Sequence, residues 1–410
     1  MTKRLYYDNP EMQEFESAVE GVLAPSAGQL RSGVLLRETA FYPTSGGQVH
    51  DTGWLTLDSG ERARVIDVAE HEDGRVIHYL EAPVGAEAGA GVRGVIDSER
   101  RHDHMQQHSG QHVLSAAFVE RYGMPTVSFH MGDEYCSIDL AAPVLSVDQV
   151  VEAEKLANRV VFENRAVQIR YVSRAEAEQL GLRKLPPAER DPLRLIEVTG
   201  FDRSACGGTH VGATGQIGAI LLRKTEKVKQ GMRVEFVCGA RAICIARRDH
   251  AALNESATLF SAQLWDVPNQ IRKSFDDLKV LRKQSEDALD QLAEAMATAA
   301  LQEQAEERNG LRVMVRVFSD RDLNFAKLFA QKAVRGGVPA VALVASTADP
   351  PGLVFAQSTG GATDMGALLK QVLLSVGGRG GGSRDFAQGG VPSSTDVQQL
   401  LQQAAATIES

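Results

Sequence analysis

Residues 104–118 read "HMQQHSGQHVLSAAF", and the fold turns on them. Before this stretch apolar and polar residues alternate as in strands; here the period becomes helical. His108 and His112 stand four residues apart, just over one turn, so both imidazoles leave the helix on one face and can grip one ion. Two ligands do not complete a metal site, because zinc takes three or four from cysteine, histidine and carboxylate. "SACGGTHVG" (204–212) offers a second pair four apart, Cys206 and His210. Its Gly-Gly turn lets a thiolate and an imidazole face one centre.

Upstream, "GQLRSGVLLRETAFY" (28–42), "DTGWLTLDSGERARVIDVAEHEDGRVIHYL" (51–80) and "VRGVID" (92–97) predict a small β domain over 1–95, barrel-like in pattern. Residues 96–240 predict an α+β domain with helices on a mainly antiparallel sheet. Its helices are Ser98 to Gly123, "SVDQVVEAEKLANRVVFENR" (146–165), opened by an N-capping Ser146 with Gln149 three residues on, and a short one around "SRAEAEQLG" (173–181). "TVSFHMGDEYCSIDL" (126–140) alternates like a strand. Residues 241–309, rich in Ala, Leu, Glu and Gln, predict a long helical stalk. Ile271, Phe275, Leu278, Leu289, Leu292 and Met296 form an imperfect seam along it, suited to an antiparallel helical hairpin or to a homodimer contact. Residues 310–410 predict a small α/β domain. The glycines from 377 to 382, with Gly389 and Gly390, read as a backbone-exposing loop between two of its helices.

At 410 residues the chain has length for two or three domains. No apolar stretch approaches the ~20 residues that cross a bilayer. The opening "MTKRLYYDNPEMQEF" lacks the apolar segment of a signal peptide, so a cytoplasmic location is expected. A reducing compartment keeps Cys206 available as a ligand, while Cys136, Cys238 and Cys244 read as core fillers. The net charge of −9 excludes nucleic-acid binding by bulk electrostatics, although Arg223, Lys224, Lys227, Lys229, Arg233, Arg241, Arg247 and Arg248 gather locally.

With "TAFYPTSGGQVHDTG" (39–53), "HSGQH" (108–112), "CGGTH" (206–210) and "GGRGGGSRDFAQGG" (377–390) on the page in this order, nearly the whole chain resembles the alanyl-tRNA editing proteins of the AlaX family, long form. Their editing domain also occurs inside alanyl-tRNA synthetase. The stalk and last domain resemble the synthetase's C-terminal region with its DHH-associated domain. The resemblance makes 96–240 a zinc-binding editing domain and 310–410 a tRNA-binding or dimerisation domain. With no room before the β domain for aminoacylation domains, a protein that does not itself make alanyl-tRNA is expected. The implied activity is hydrolysis of alanine tRNA mischarged with serine, or with glycine. A pocket made for alanine discriminates only about 10²-fold against an added hydroxyl, so a second, hydrolytic site is the remedy.

The resemblance makes His108, His112 and Cys206 ligands of one zinc ion per chain, with His210 either the fourth ligand or a partner of the attacking water. The mixed nitrogen and sulfur set suits zinc. It places Thr39 and Gln48 beside the seryl hydroxyl and the ester, and Gly46 and Gly47 where the backbone approaches the terminal adenosine. Gly380, Gly381, Gly382, Arg379 and Arg384 are the implied tRNA contacts. His50, Asp51, Arg100, His102, His104 and Arg203 are weaker candidates. A non-catalytic tRNA-binding or dimerisation factor with a structural zinc is the alternative. A metal-dependent phosphoesterase would need an Asp-His-His triplet, and the chain offers only Asp103, His104 and Met105.

Overall fold

The computed structural model describes residues 1–24, 31–180, 182, 192–229 and 231–408; residues 28–30 of the first expected strand and residue 181 of the third expected helix lie outside this set. The chain divides into two compact units, Met1–Glu255 and Ser256–Ser410, so the first two expected domains share one unit.

The first unit opens with a closed antiparallel barrel. Its strands run in the order Glu14–Leu23, Gly33–Leu36, Val76–Leu80, Arg62–Glu70, Gly53–Leu57 and Gly91–Ile96, the last pairing back to the first. The alternation seen in sequence becomes inside and outside: Leu36, Leu55, Val65, Val68 and Val76 are buried together with Phe15 and Phe41. His78 is a polar side chain fully buried in this barrel. Its Nδ1 faces the carbonyl of Val34 at 3.1 Å and so carries the proton; its Nε2, 2.8 Å from Thr39 Oγ1, accepts the threonine's proton.

Helix α1 (Ser98–Tyr122) starts where Asp97 accepts the amide of Arg100 at 3.1 Å and stops at Gly123, whose φ of +62° ends a helix at no steric cost. Helix α2 (Val147–Phe162) carries the expected capping box of Ser146 and Gln149, and α3 (Arg174–Gln179) repeats the device with Ser173 and Glu176. The stretch 126–140 is two strands rather than one, Thr126–Met131 and Cys136–Leu140. They complete an antiparallel sheet with Gly231–Cys238 and Ile220–Val228. Phe118, Ile138, Leu140, Val160 and Phe236 are fully buried between α1, α2 and this sheet. A smaller antiparallel sheet of Val167–Val172, Leu193–Val198 and Asp202–Ala205 leads into the Cys206 turn.

Arg101 fixes α1 to the barrel. Its guanidinium is buried, paired with the fully buried Asp51, and it donates to the carbonyls of Pro10 at 2.7 Å and Ala40 at 2.5 Å. Removing one member of such a pair leaves an uncompensated charge, a loss of about 3–5 kcal/mol.

Helix α4 (Gly239–Leu259) contains the boundary between the units. Cys136 and Cys238 are buried as expected, but Cys244 is exposed on α4, so it fills no core. In the second unit, α5 (Val267–Glu303) does not bury the expected seam. Ile271, Phe275 and Leu278 are exposed, and the buried face is Ala293, Ala297 and Ala300, packed with Phe325 and Phe329 of α6 (Leu323–Arg335). Small residues win there because they let two helix backbones approach closely.

The second unit's sheet runs Glu306–Arg308, Leu311–Phe318, Ala340–Ser346, Gly352–Gln357, Phe386–Gly390, Arg379–Gly382. Only Leu311–Phe318 and Ala340–Ser346, joined through α6, are parallel. Helices α7 (Met365–Ser375) and α8 (Val397–Ala406) cover one face. The glycine run is therefore a hairpin at the sheet edge and not a loop. Its composition has a packing cause. A Cβ on Gly380 would lie 2.7 Å from Leu373 Cδ1 of α7 and 2.4 Å from Gly389 Cα, and one on Gly382 would lie 2.2 Å from Phe386 O. Gly381 alone among these three faces open space.

Burial pushes the His78 imidazole down from 6.5 to about 4. The folded pKa lies below the unfolded one, so between these values the unfolded chain binds more protons. Stability is full near pH 7 and falls by about 3 kcal/mol as pH drops through that window. Urea midpoints taken from pH 7.5 to 4.5 should show the loss, and His78→Gln should flatten the dependence.

Candidate metal centre and its cavity

The two histidine and cysteine pairs meet. Ligand atoms of His108, His112, Cys206 and His210 lie within 4.8 Å of one another, a group able to hold a metal ion. Helix α1 carries the first two, and the turn after Asp202–Ala205 carries the others. His108 Nε2 and His210 Nε2 each lie 3.4 Å from Cys206 Sγ, so His210 occupies the same kind of position as His108. The amide of Gly208 also donates to Sγ at 3.3 Å.

The outer nitrogens are held from behind. His108 Nδ1 donates to Gln48 Oε1 at 2.7 Å, His210 Nδ1 is 3.2 Å from Ser109 Oγ, and His112 Nδ1 is 3.4 Å from Asp202 Oδ2. Rings oriented this way, with Nε2 of His108 and His210 turned to the centre, are those of metal-bound histidines. The buried nitrogen and sulfur donors therefore fit a zinc-type ion. Electrostatics agree with the geometry. Burial opposes a charged sulfur, but His108 and His210 outweigh it and hold the Cys206 thiol well below its ordinary value. Burial also opposes a charged His112, yet Asp202 and the Cys206 sulfur raise it to about 9; burial and the neighbouring His108 lower His210 to about 3.

The sequence-predicted pocket residues fall in different places. Gln48 is fully buried, and its amide positions His108 while donating to Thr209 Oγ1 at 2.8 Å and accepting the Thr209 amide at 3.1 Å. It serves the metal group and does not face a ligand. Thr39, expected beside a seryl hydroxyl, is fully buried in the barrel with its proton given to His78, and it does not line the cavity described below. Gly46 lines that cavity; Gly47, φ +86°, packs against Phe129, where a Cβ would lie 2.8 Å from the ring. Asp51 belongs to Arg101. Arg203 pairs with Glu197 at 2.8 Å, and His104 is buried.

Sequence reasoning missed Arg194, Ser109 and Asp202. Arg194 donates to the carbonyls of Cys206 at 2.7 Å, Gly208 at 3.0 Å and Tyr7 at 3.0 Å, clamping the ligand turn. Ser109 lies inside the quoted "HSGQH", a signal available at the start. Gly208 has a direct steric reason, since a Cβ there would lie 2.1 Å from His108 Cε1. The basic residues expected as a local patch are largely spent: Arg223 on Asp249, Lys224 on Glu226, Arg233 on Asp139, Arg241 on Asp103.

A cavity of about 110 Å³ opens beside the centre, lined by His108, Cys206, Gly207 and Gly208 together with Arg4, Tyr7 and Glu70.

Three family models match the chain in succession: tRNA synthetases class II (A) over residues 3–100, the threonyl and alanyl tRNA synthetase second additional domain over 193–234, and the DHHA1 domain over 333–410. They make the chain a tRNA-synthetase-related protein. Its relatives narrow that class. The alanine-tRNA ligase of Archaeoglobus fulgidus is 33% identical over 98% of this chain and 43% of that protein, and that of Natronomonas pharaonis is 34% identical over 100% of this chain and 44% of that protein. The C-Ala domain from Aquifex aeolicus alanyl-tRNA synthetase overlaps 25% of this chain and 96% of that chain at 18% identity and a TM-score of 0.24, too slight to bear on the fold. The chain is an AlaX-like protein of the alanyl-tRNA synthetase family, and it spans less than half the length of these relatives.

Gln48→Leu removes the acceptor behind His108 without touching the four donors. It should weaken metal binding about 10- to 100-fold, measured by zinc competition with a chromophoric chelator, with the melting temperature of the metal-free protein recorded as a control for the fold.

Proposed function

We propose that the chain is a trans-editing hydrolase. It deacylates alanine tRNA mischarged with serine, or with glycine, with one zinc ion at His108, His112, Cys206 and His210. The observation that supports this most is a four-donor group, its three histidines buried, of which His108 and Cys206 line a cavity of about 110 Å³. For comparison, a dry cavity of ~150 Å³ accepts benzene, with six heavy atoms, so this one matches a glycyl or seryl group and little more. The ion supplies Lewis-acid polarisation to the ester. The chain's own residues do the rest. Gln48 and Ser109 hold the imidazoles of His108 and His210, Arg194 holds the Cys206 turn, and the bare backbone of Gly46, Gly207 and Gly208 admits the acceptor end. The mutual approach of all four donors within 4.8 Å also favours a second reading, a closed structural zinc in a non-catalytic tRNA-binding factor.

One experiment separates them. Zinc-loaded protein incubated with Ser-, Gly- and Ala-charged alanine tRNA should release serine far faster than alanine. Cys206→Ala should lose both metal and activity, because the soft thiolate has no substitute. Absence of ester loss in fully zinc-loaded protein would establish the structural reading.

In the second unit we propose that the outer edge of Arg379–Gly382 meets the tRNA backbone. That strand pairs on one side only, Arg379 is exposed, and Gly381 faces open space. Arg384 instead donates to the carbonyl of Ala362 at 3.1 Å, and Gly380 and Gly382 are occupied by packing, which narrows the contact to Arg379 and Gly381. Gly381→Val should raise the tRNA concentration needed for half-saturation without lowering the melting temperature. Gly380→Val should destabilise the unit outright, as followed by thermal denaturation.

A further inference from the structure

The cavity beside the metal group has lining residues that the hydrolysis itself does not require. Tyr6, Tyr7 and Tyr42 line it, with Tyr6 meeting Tyr7 at 5.1 Å and Tyr42 at 5.2 Å between ring centroids, both edge to face. Glu70 supplies the single carboxylate among its lining residues. Aromatic faces gathered around a carboxylate are the chemistry that receives an organic cation.

The chain already seats a cation there. Arg4 lies over the Tyr7 ring at 5.4 Å, donates to Tyr7 Oη at 2.8 Å, and pairs with Glu70 Oε1. Glu70 keeps its other oxygen clear of any hydrogen bond among the described residues, and about a third of its side chain stays exposed. A carboxylate has some four acceptor sites, so Arg4 fixes its orientation without exhausting it.

An aminoacyl ester entering this cavity carries an α-ammonium on the carbon next to its carbonyl. His108 and Cys206 line the cavity where the carbonyl can lie against the metal group, and Glu70 is the carboxylate that the same cavity offers to the ammonium.

We propose that Glu70, oriented by Arg4 and flanked by Tyr6, Tyr7 and Tyr42, binds the free α-ammonium of the aminoacyl group. This restricts the site to esters of unblocked amino acids. The inference rests on the deacylase reading above and adds to it a selection against N-acylated esters, which present a neutral amide where the cavity offers a negative charge.

The test compares Ser-charged alanine tRNA with the same tRNA carrying N-acetylserine. Wild-type protein should cleave the free-amine ester about 10- to 100-fold more efficiently, the range of a hydrogen bond to a charged group. Glu70→Gln, with unaltered zinc content and melting temperature, should bring that ratio close to one, and Glu70→Asp should restore part of it. Calorimetry with 3′-(L-seryl)amino-3′-deoxyadenosine and its N-acetyl derivative reads binding apart from turnover. Equal binding of the two analogues by wild-type protein would overturn the proposal without any variant, as would a Glu70→Gln protein that keeps the wild-type ratio. If Glu70→Gln instead slowed both esters by the same factor, Arg4 and Glu70 would be serving the phosphate-ribose end, and the ammonium site would fall. Cleavage of neither ester by the zinc-loaded protein is a different failure, that of the deacylase reading itself.

Discussion

The amide of Gln48 joins three parts of the chain that folding must bring together separately. It belongs to the turn after the barrel's Thr39, it accepts from His108 on α1, and it exchanges two hydrogen bonds with Thr209 in the ligand turn. Those partners lie 60 and 161 residues away. Being fully buried, the amide gains nothing from water if any of these bonds is missing, so each leaves a desolvated polar group when broken. The metal group therefore forms only when barrel, helix and turn are all in register. Arg101 with Asp51 holds the helix to the barrel by independent means, and Arg194 ties the ligand turn to the carbonyl of Tyr7.

The four side chains perturb one another's protonation strongly. Three imidazoles crowd within ring-centroid distances of 4.4 to 5.2 Å beside a buried sulfur held toward its thiolate form. Left alone, such a cluster must split its protons unevenly, and it does: His112 is drawn up by Asp202 and Cys206 while burial drives His210 down. A bound ion substitutes one central charge for this compromise and leaves Gln48, Ser109 and Asp202 facing the outer nitrogens. On the proposed reading, the polar groups behind the rings would set, together with the four donors, how tightly an ion is held.

Much of this was legible in the sequence, and the limits have physical causes. Helix ends were readable because caps are local: Asp97, Ser146 with Gln149, and Gly123 act within three or four residues. The four side chains that meet at the candidate metal centre were readable because each pair sits on one helical turn or one Gly-Gly turn. The hydrogen bond of Thr39 was not readable because its partner, His78, is 39 residues away on another strand, and no local pattern announces that its proton is already given. The glycine run looked like a loop because its steric cause, Leu373 of α7, comes from outside the hairpin. The seam on α5 is not buried within the chain for a related reason: large apolar residues mark a buried face only where a partner reaches it, and α6 meets the alanines instead.

The charge balance then explains where recognition has to reside. With a net charge of −9 and most of the local arginines and lysines committed to carboxylates of the same chain, little attraction at long range remains for a polyanion. Contacts that succeed on such a surface must be short in range and matched in shape: the open edge of Arg379–Gly382 in one unit and a cavity bounded by glycine backbone in the other. On the reading proposed here, that places discrimination at the aminoacyl end and not along the tRNA backbone. Nonspecific affinity would hold correctly charged and mischarged tRNA equally and contribute nothing to the difference between them. The ester carbonyl and the α-ammonium are likewise common to correctly charged and mischarged tRNA, so on this reading the metal group and the Glu70 carboxylate position the aminoacyl group, and the difference between serine, glycine and alanine is left to what the side chain meets in the cavity.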